Sequence, residues 1–108
     1  MRTNAALFDE VCSRLVGHLH PERIVVFGSR ARGVEQPDSD LDLMVVVDVN
    51  GSLAERSRIV RRYLLDLGVP IDLVVYTPAE YQHYRTWRSS VAGIADREGK
   101  VLHGQPVR

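Results

Sequence analysis

The segment Phe27–Leu43, FGSRARGVEQPDSDLDL, decides the fold of this chain. It begins with a glycine-serine turn after one apolar run and ends with two alternating aspartates at the entry of a second apolar run. Because side chains alternate between the two faces of a strand, Asp40 and Asp42 share one face, with their Cα atoms about 7 Å apart. Leu41 and Leu43 then point to the opposite face, into a predicted core.

The paired aspartates predict a cation site. Two carboxylates directed at one point repel each other, and a bound cation removes that repulsion. A hard divalent ion with oxygen ligands, typically Mg²⁺, suits such a pair. Asp72, in the predicted third strand Val69–Tyr76, is the candidate third ligand, because an acid within an apolar strand is costly unless it meets a partner or a metal. The alternative for Asp72 is a solvent-exposed acid on an edge strand.

The glycine-serine turn predicts a phosphate site on the same loop. The apolar run Arg23–Phe27 reads as a buried central strand that stops at Gly28. Gly28 permits a positive φ and the close approach of a ligand to the backbone. Ser29 supplies a hydroxyl and a main-chain N–H at the start of a short helix, where a phosphate would fit. An ordinary turn is the alternative.

The first half of the chain carries two further helix patterns. The first helix starts at an N-cap, Thr3 or Asn4, and ends near Pro21. The second strand runs over Asp40–Asp48, and a second helix follows a capping box at Ser52 and reaches about Leu67. The outer side of this helix carries four arginines, Arg56, Arg58, Arg61 and Arg62. They form either a solvated face, which we expect, or a binding patch.

The last third of the chain predicts one helix and one short strand. Thr77 caps a helix with proline at its first position, and apolar residues continue at helical spacing to Ile94. Tyr81 and Tyr84 on this helix favour core packing, with base stacking or partner contact as the alternative. A last strand covers 100–103, and the end of the chain, 105–108, is expected to be frayed.

Length and composition indicate one domain over residues 1–108. The chain has 108 residues, of which 44% are hydrophobic, enough for a single core. Its formal charge is zero, from 14 basic and 14 acidic residues, so direct nucleic-acid binding is not expected. Cys12 is the single cysteine and is expected to be a small core residue, which fits a reducing cytoplasm. We expect no signal peptide and no membrane span, and therefore a cytoplasmic protein.

Taken together, these motifs resemble those of a known family. The pattern of Gly28-Ser29, a ten-residue gap, Asp40-x-Asp42 and a later Asp72 is similar to that of the DNA polymerase beta nucleotidyltransferase superfamily. In particular, GSRARG followed by SDLDL resembles the minimal nucleotidyltransferase (MNT) domain of prokaryotes. The similarity covers nearly the whole chain. It implies a small α/β (α+β) fold of the polymerase-beta type, with a mixed sheet and helices packed on it.

The resemblance also implies the chemistry of the site. The three aspartates are implied to hold two Mg²⁺ ions and to catalyse nucleotidyl transfer, with Asp72 acting on the acceptor hydroxyl. Gly28 and Ser29 are implied to hold the phosphates of a nucleotide, with ATP expected. Arg30 and Arg32 lie near enough in sequence to help neutralise a triphosphate, or are solvent-exposed helix residues instead.

For the acceptor, the resemblance implies a HEPN-domain partner, the ribonuclease toxin of a toxin–antitoxin pair, whose tyrosine receives AMP. A homo- or hetero-oligomer is compatible with this implication. Two alternatives stay open. One is an antitoxin that neutralises by binding alone, against which the intact aspartate triad argues. The other is a transferase for a small molecule such as an aminoglycoside, against which the short chain after Asp72 argues.

Overall fold

The computed structural model of the chain describes residues 3–36 and 38–104. Helices and strands follow one another along these residues as α1 Asn4–Leu19, β1 Arg23–Phe27, α2 Gly28–Arg32, β2 Leu41–Val46, α3 Leu53–Arg61, β3 Ile71–Tyr76, α4 Pro78–Tyr84, α5 Val91–Glu98 and β4 Lys100–His103. The predicted strand Arg23–Phe27 and the predicted last strand are confirmed with the same bounds.

The four strands form one mixed sheet in the order β3-β2-β1-β4. Strand β1 pairs antiparallel with β2 and with β4, whereas β2 and β3 run parallel. The predicted α/β (α+β) class with a mixed sheet is therefore confirmed. The two long strands of the apolar pattern, β1 and β2, lie at the centre and are almost fully buried.

Helices cover both faces of the sheet. On one face, α1 and α3 pack on the residues that alternate with the aspartates, such as Leu41, Leu43 and Leu73. On the other face, α4 and α5 pack on Met44 and Val46 through Tyr81 and two alanines. Since Asp42 precedes Met44 by two residues, it lies on the α4–α5 face, at the edge where that face is left open.

Helix starts follow the predicted caps. The hydroxyl of Thr3 accepts a hydrogen bond from the N–H of Ala6 at 3.1 Å, which settles the N-cap of α1. Ser52 with Glu55 forms the expected capping box of α3, and Thr77 with Glu80 forms one at the start of α4. Each cap satisfies N–H groups that have no partner within the helix.

Two predicted helices end earlier than their apolar spacing suggests. After Arg61 the backbone changes to i→i+3 hydrogen bonds, such as Leu64 N–H to Arg61 C=O at 2.9 Å, so α3 does not reach Leu67. Leu64 and Leu67 are nevertheless buried, which is why their periodicity looked helical. Tight turns thus preserve the apolar face without continuing the helix.

The last predicted helix is two helices, α4 and α5. Ser90 separates them, because its hydroxyl donates to the carbonyl of Tyr84 at 2.6 Å and accepts from the N–H of Gly93 at 2.9 Å. It thereby caps α5 and closes the turn after α4. The strands β2 and β3 are also shorter than predicted, starting at Leu41 and Ile71. The predicted frayed end, 105–108, lies outside the described residues.

The expectation of a solvated arginine face on α3 is wrong for Arg56. This side chain is 5% exposed and forms a salt bridge with both carboxylate oxygens of Glu80, the capping residue of α4. Arg61 donates to the carbonyl of Ile71 at 2.9 Å. Arg58 and Arg62 are exposed. The helix therefore uses two of its arginines to attach α4 and β3.

Candidate active site

Strand register brings the sequence-predicted residues to one edge of the sheet. Asp42 is the antiparallel partner of Phe27, the residue directly before Gly28. On its other side, Asp42 is the parallel partner of Asp72. Because neighbouring strands lie about 4.8 Å apart and paired residues point to the same face, the two carboxylates are neighbours. The end of β1 and the starts of β2 and β3 therefore meet at the site.

Gly28 lies directly against the carboxylate of Asp42. Its φ is +73°, in the left-handed region that L-residues rarely adopt. A Cβ at this position would overlap Oδ2 of Asp42 and would lie 3.1 Å from its Cγ. Glycine is thus needed here for its conformation and for the space that it leaves to Asp42. The predicted phosphate turn and the predicted metal ligand are in contact.

The site concentrates negative charge. The pKa of Asp42 is raised, first by its burial and then by the charges of Asp72 and Asp40, and a hydrogen bond with Asp72 acts in the same direction. The positive charge of Arg32 opposes this rise. Asp40 and Asp72 are exposed, while Asp42 is half-buried. The three carboxylates therefore interact, and a cation among them would be strongly favoured.

The three aspartates offer only oxygen atoms as ligands. Within residues 3–36 and 38–104, no three His, Cys, Asp or Glu side chains are already placed to share a metal ion. Asp42 and Asp72 are nevertheless adjacent by register, and the charge of Asp40, which is exposed, acts on Asp42. All-oxygen ligands of this kind match a hard divalent cation. The chemistry of these side chains and the pairing of Asp42 with Asp72 therefore fit Mg²⁺.

Ser29 lies in the first turn of α2, after Gly28. Phe27, the N-cap of this helix, provides no side-chain hydrogen bond to the first N–H groups. The carbonyl of Ser29 accepts from the N–H of Val34 at 3.1 Å, so the turn is closed on itself. Ser29 is half-buried and follows Gly28, which lies against Asp42. Its role in holding phosphate stays a prediction.

The two predicted arginines have different surroundings. Arg30 is 9% exposed, and its guanidinium donates to the carbonyl of Ser39 and to the side chain of Asn4. Arg32 is exposed, and its charge acts on Asp42. Sequence reasoning missed Asn4 and Ser39, because contacts across 26 and 9 residues leave no periodic signal.

A group of aromatic side chains lies on the α4 side of the sheet. Tyr81 is 1% exposed and donates from its hydroxyl to Asp96 at 2.6 Å, which confirms the predicted core packing. Tyr84 stacks on Tyr76, with ring centroids 5.7 Å apart, and meets the edge of Trp87 at 5.3 Å. Trp87 is 52% exposed. We call His83, Tyr84 and Trp87 the aromatic patch.

Comparison with known families identifies the class of this fold and site. A family model for the nucleotidyltransferase domain matches residues 6–92. The match covers most of the chain and includes the glycine-serine turn and all three aspartates. The chain belongs to the nucleotidyltransferase domain family, as the resemblance implied.

A curated relative gives a more particular likeness. Over 58 residues the chain is 33% identical to a candidate protein adenylyltransferase of Methanocaldococcus jannaschii. The matched region covers 51% of this chain and 59% of that relative. The chain therefore spans less than two thirds of the relative's length.

Solved structures confirm the fold. One chain of a toxin–antitoxin complex with AMP-PNP matches with a TM-score of 0.64 and 20% identity, covering 91% of this chain and 73% of that chain. A chain from the complex of a tri-AMPylated HEPN toxin of Shewanella oneidensis with its MNT antitoxin matches with a TM-score of 0.61 and 18% identity, covering 95% and 74%. A candidate nucleotidyltransferase of Sulfolobus solfataricus matches with a TM-score of 0.56 and 25% identity, covering 71% and 69%.

In the described part of the chain, none of the helices has the length and apolar character needed to cross a membrane.

Proposed function

We propose that this protein is a Mg²⁺-dependent nucleotidyltransferase that transfers AMP from ATP to a tyrosine hydroxyl of a HEPN-domain ribonuclease toxin, and so silences it. One observation carries the proposal. Gly28, at the end of β1, lies against the carboxylate of Asp42, and Asp42 pairs with Asp72 across the sheet. A phosphate turn in contact with paired carboxylates is what nucleotidyl transfer needs, because the phosphates and their counter-charge must meet there.

Each residue has a defined task in this reaction. Gly28 and Ser29 bind the outer phosphates of ATP through the backbone and the hydroxyl. Asp40, Asp42 and Asp72 would hold Mg²⁺, which when bound neutralises the phosphates and the leaving pyrophosphate. Asp72 is exposed on the edge strand β3, so an incoming hydroxyl can reach it from outside the sheet.

Asp72 supplies the base for the transfer step. It orients the tyrosine hydroxyl and accepts its proton. The tyrosine oxygen bonds to the α-phosphorus while the bond from that phosphorus to the oxygen bridging to the β-phosphate breaks. Pyrophosphate leaves with the electron pair, and AMP stays on the tyrosine.

The acceptor is proposed from chemistry and from likeness. Two of the similar solved structures are toxin–antitoxin complexes, one of them with a tri-AMPylated HEPN toxin, and the relative from M. jannaschii is named as a candidate protein adenylyltransferase. The aromatic patch, with half-exposed Trp87, and the neighbouring exposed Arg88 suit a protein partner, because tryptophan and arginine are enriched at interface centres. The lone Cys12 supports a cytoplasmic location for this reaction.

Mass spectrometry of the partner tests the proposal. The purified protein is incubated with Mg²⁺, ATP and the product of its neighbouring gene, which the proposal expects to be a HEPN protein. This partner is expected to gain one or more AMP masses on tyrosine. Asp72→Ala should still bind the partner in size-exclusion chromatography but leave its mass unchanged. Asp48→Ala is the matched control, because Asp48 is an exposed aspartate beyond the opposite end of β2.

The outcomes separate the competing functions. Unchanged mass with wild-type protein, combined with loss of ribonuclease activity in the complex, would replace the enzyme with an antitoxin that acts by binding alone. Loss of transfer in Asp48→Ala as well would show that the aspartate effect is not specific to the proposed site.

A further inference from the structure

Arg30 makes contacts that set it apart from a nucleotide ligand. Its guanidinium donates to the carbonyl of Ser39 from Nε at 3.2 Å and from Nη2 at 2.9 Å. Its Nη1 donates to the side-chain oxygen of Asn4 at 3.0 Å. The side chain is 9% exposed, so these bonds form away from bulk water. Ser39 is the residue directly before Asp40.

Both partners of Arg30 are themselves fixed. Asn4 is the first residue of α1 and donates through its side-chain nitrogen to Glu35. The hydroxyl of Ser39 accepts from the N–H of Gln36 at 2.8 Å, and the N–H of Ser39 donates to the Gln36 carbonyl at 3.0 Å. Arg30 therefore connects three parts of the fold, namely α2, the start of α1 and the approach to Asp40.

We infer that Arg30 is a positioning residue, which holds Asp40 at a fixed place relative to the Gly28–Ser29 turn, and that Arg32 is the arginine that meets the nucleotide phosphates. This inference rests on the proposed function. Arg30 and Arg32, two residues apart in sequence, therefore have different roles, although their spacing suggests a shared one.

The energetics favour this division. Turning Arg30 towards a phosphate would break its three bonds to Ser39 and Asn4, and the half-buried carbonyl of Ser39 and side-chain oxygen of Asn4 would lose this donor, which is costly. Lysine could not replace it, because one ammonium cannot reproduce the planar fork that reaches Ser39 and Asn4 together. Arg32, in contrast, is exposed, and no hydrogen bond or ion pair is formed by its side chain among residues 3–36 and 38–104. Its positive charge lowers the pKa of Asp42, against the effect of burial and of the neighbouring carboxylates.

Steady-state kinetics of the transfer reaction distinguish the two arginines. We expect Arg30→Ala to lower kcat by about tenfold to a hundredfold, because a small displacement of a catalytic group has effects of this size. The Mg²⁺ concentration for half-maximal rate should rise, since Asp40 is a proposed ligand, while KM for ATP changes little. Arg30→Lys should behave like Arg30→Ala. Arg32→Ala should raise KM for ATP by about tenfold, in keeping with one lost charged hydrogen bond, and Arg32→Lys should restore most of it.

A structural measurement does not depend on the reaction. The N–H of Leu41 donates to the carbonyl of Pro70 at 2.8 Å, and Asp40 lies between this bond and Ser39. In Arg30→Ala, hydrogen exchange at the hydrogen-bonded amides of Ser39 and Leu41, on either side of Asp40, should become about tenfold faster, whereas Arg32→Ala should leave it unchanged. Asn4→Ala removes one contact of Arg30 without removing its charge and should give a smaller change in the same direction. Arg58→Ala, at an exposed position of α3, is the control for general effects of losing an arginine.

The results decide between the two roles. If Arg30→Ala raised KM for ATP and Arg30→Lys restored it, Arg30 would be a phosphate ligand and the inference would be overturned. Unchanged exchange at Ser39 and Leu41 in Arg30→Ala would also overturn it. If the wild-type protein transferred no AMP, the proposed function would fail, while the exchange measurement would still test the positioning contact.

Discussion

Gly28→Ala tests the contact between the phosphate turn and the carboxylates. At φ +73°, an L-residue costs about 1–2 kcal/mol relative to its preferred conformations. The added Cβ would overlap Oδ2 of Asp42, so the carboxylate must leave its rotamer, which costs about 0.5–1.5 kcal/mol more. We expect the free energy of unfolding to fall by about 1.5–3.5 kcal/mol. Because Asp42 is displaced, ATP affinity in the presence of Mg²⁺ should fall about tenfold or more.

Gly33→Ala is the matched control. Gly33 has φ +72°, but no atom lies within 4 Å of a Cβ built on it. This variant carries the conformational cost alone, about 1–2 kcal/mol. The difference between the two variants is therefore about 1 kcal/mol, or about 4–8 °C in Tm for a domain of this size. Urea and thermal denaturation measure it, and calorimetry measures the affinity for Mg-ATP.

A double-mutant cycle with Asp42→Ala isolates the contact. Once the carboxylate is removed, the cost of Gly28→Ala should fall to that of Gly33→Ala, because the conformational strain alone remains. Two results would refute the reasoning. One is an equal loss of stability in Gly28→Ala and Gly33→Ala; the other is a cost of Gly28→Ala that Asp42→Ala does not reduce.

Two further predictions concern charge. Asp42→Asn should abolish AMP transfer while leaving stability at neutral pH equal or higher. Burial and the neighbouring carboxylates raise the pKa of Asp42, so its ionisation destabilises the fold as pH rises above about 3.8. Full activity in this variant would contradict the metal assignment. The hydrogen bonds from Arg56 lower the pKa of Glu80 to about 2 from 4.5, so this pair should stabilise the fold fully above about pH 4.5 and lose that contribution as pH falls towards 2. Glu80 is about one third exposed, and we expect Glu80→Gln to cost about 1–2 kcal/mol at pH 7 and little at pH 2, measured by urea denaturation. An equal loss at both pH values would exclude the ion pair as the cause.

Local rules predicted the parts of this fold that depend on neighbouring residues. The alternation of Asp42 with Leu41 and Leu43 fixed the faces of β2, and both leucines are fully buried. Hydroxyl residues marked the starts of α1, α3 and α4, because a cap bonds within three residues of itself. The proximity of Asp72 to Asp42 followed from two strands that each carry an acid near their entry.

Contacts between distant residues could not be predicted in this way. Arg30 and Arg32 are chemically identical in sequence, and the difference in burial comes from Asn4 on α1 and from Ser39. Arg56 looked solvated on a helical wheel because its partner, Glu80, belongs to another helix. The break between α4 and α5 depends on where Ser90 finds carbonyl acceptors in the folded chain.

Sheet register and loop contacts control different parts of the site. Asp42 lies on the strand between β1 and β3, so pairing alone places it beside both Gly28 and Asp72. A shift of β2 by one residue would turn Asp42 to the α1–α3 face and bury its carboxylate in the apolar core there. The same shift would move Leu41 and Leu43 out of that core, so both changes oppose it. Asp40 precedes the strand and has no partner in its pairing with β1 or β3, so we expect its position to depend on the hydrogen bonds of Arg30 to Ser39. Variants that weaken those bonds should therefore affect steps that need Asp40, while the Gly28–Asp42–Asp72 geometry persists as long as the sheet is folded.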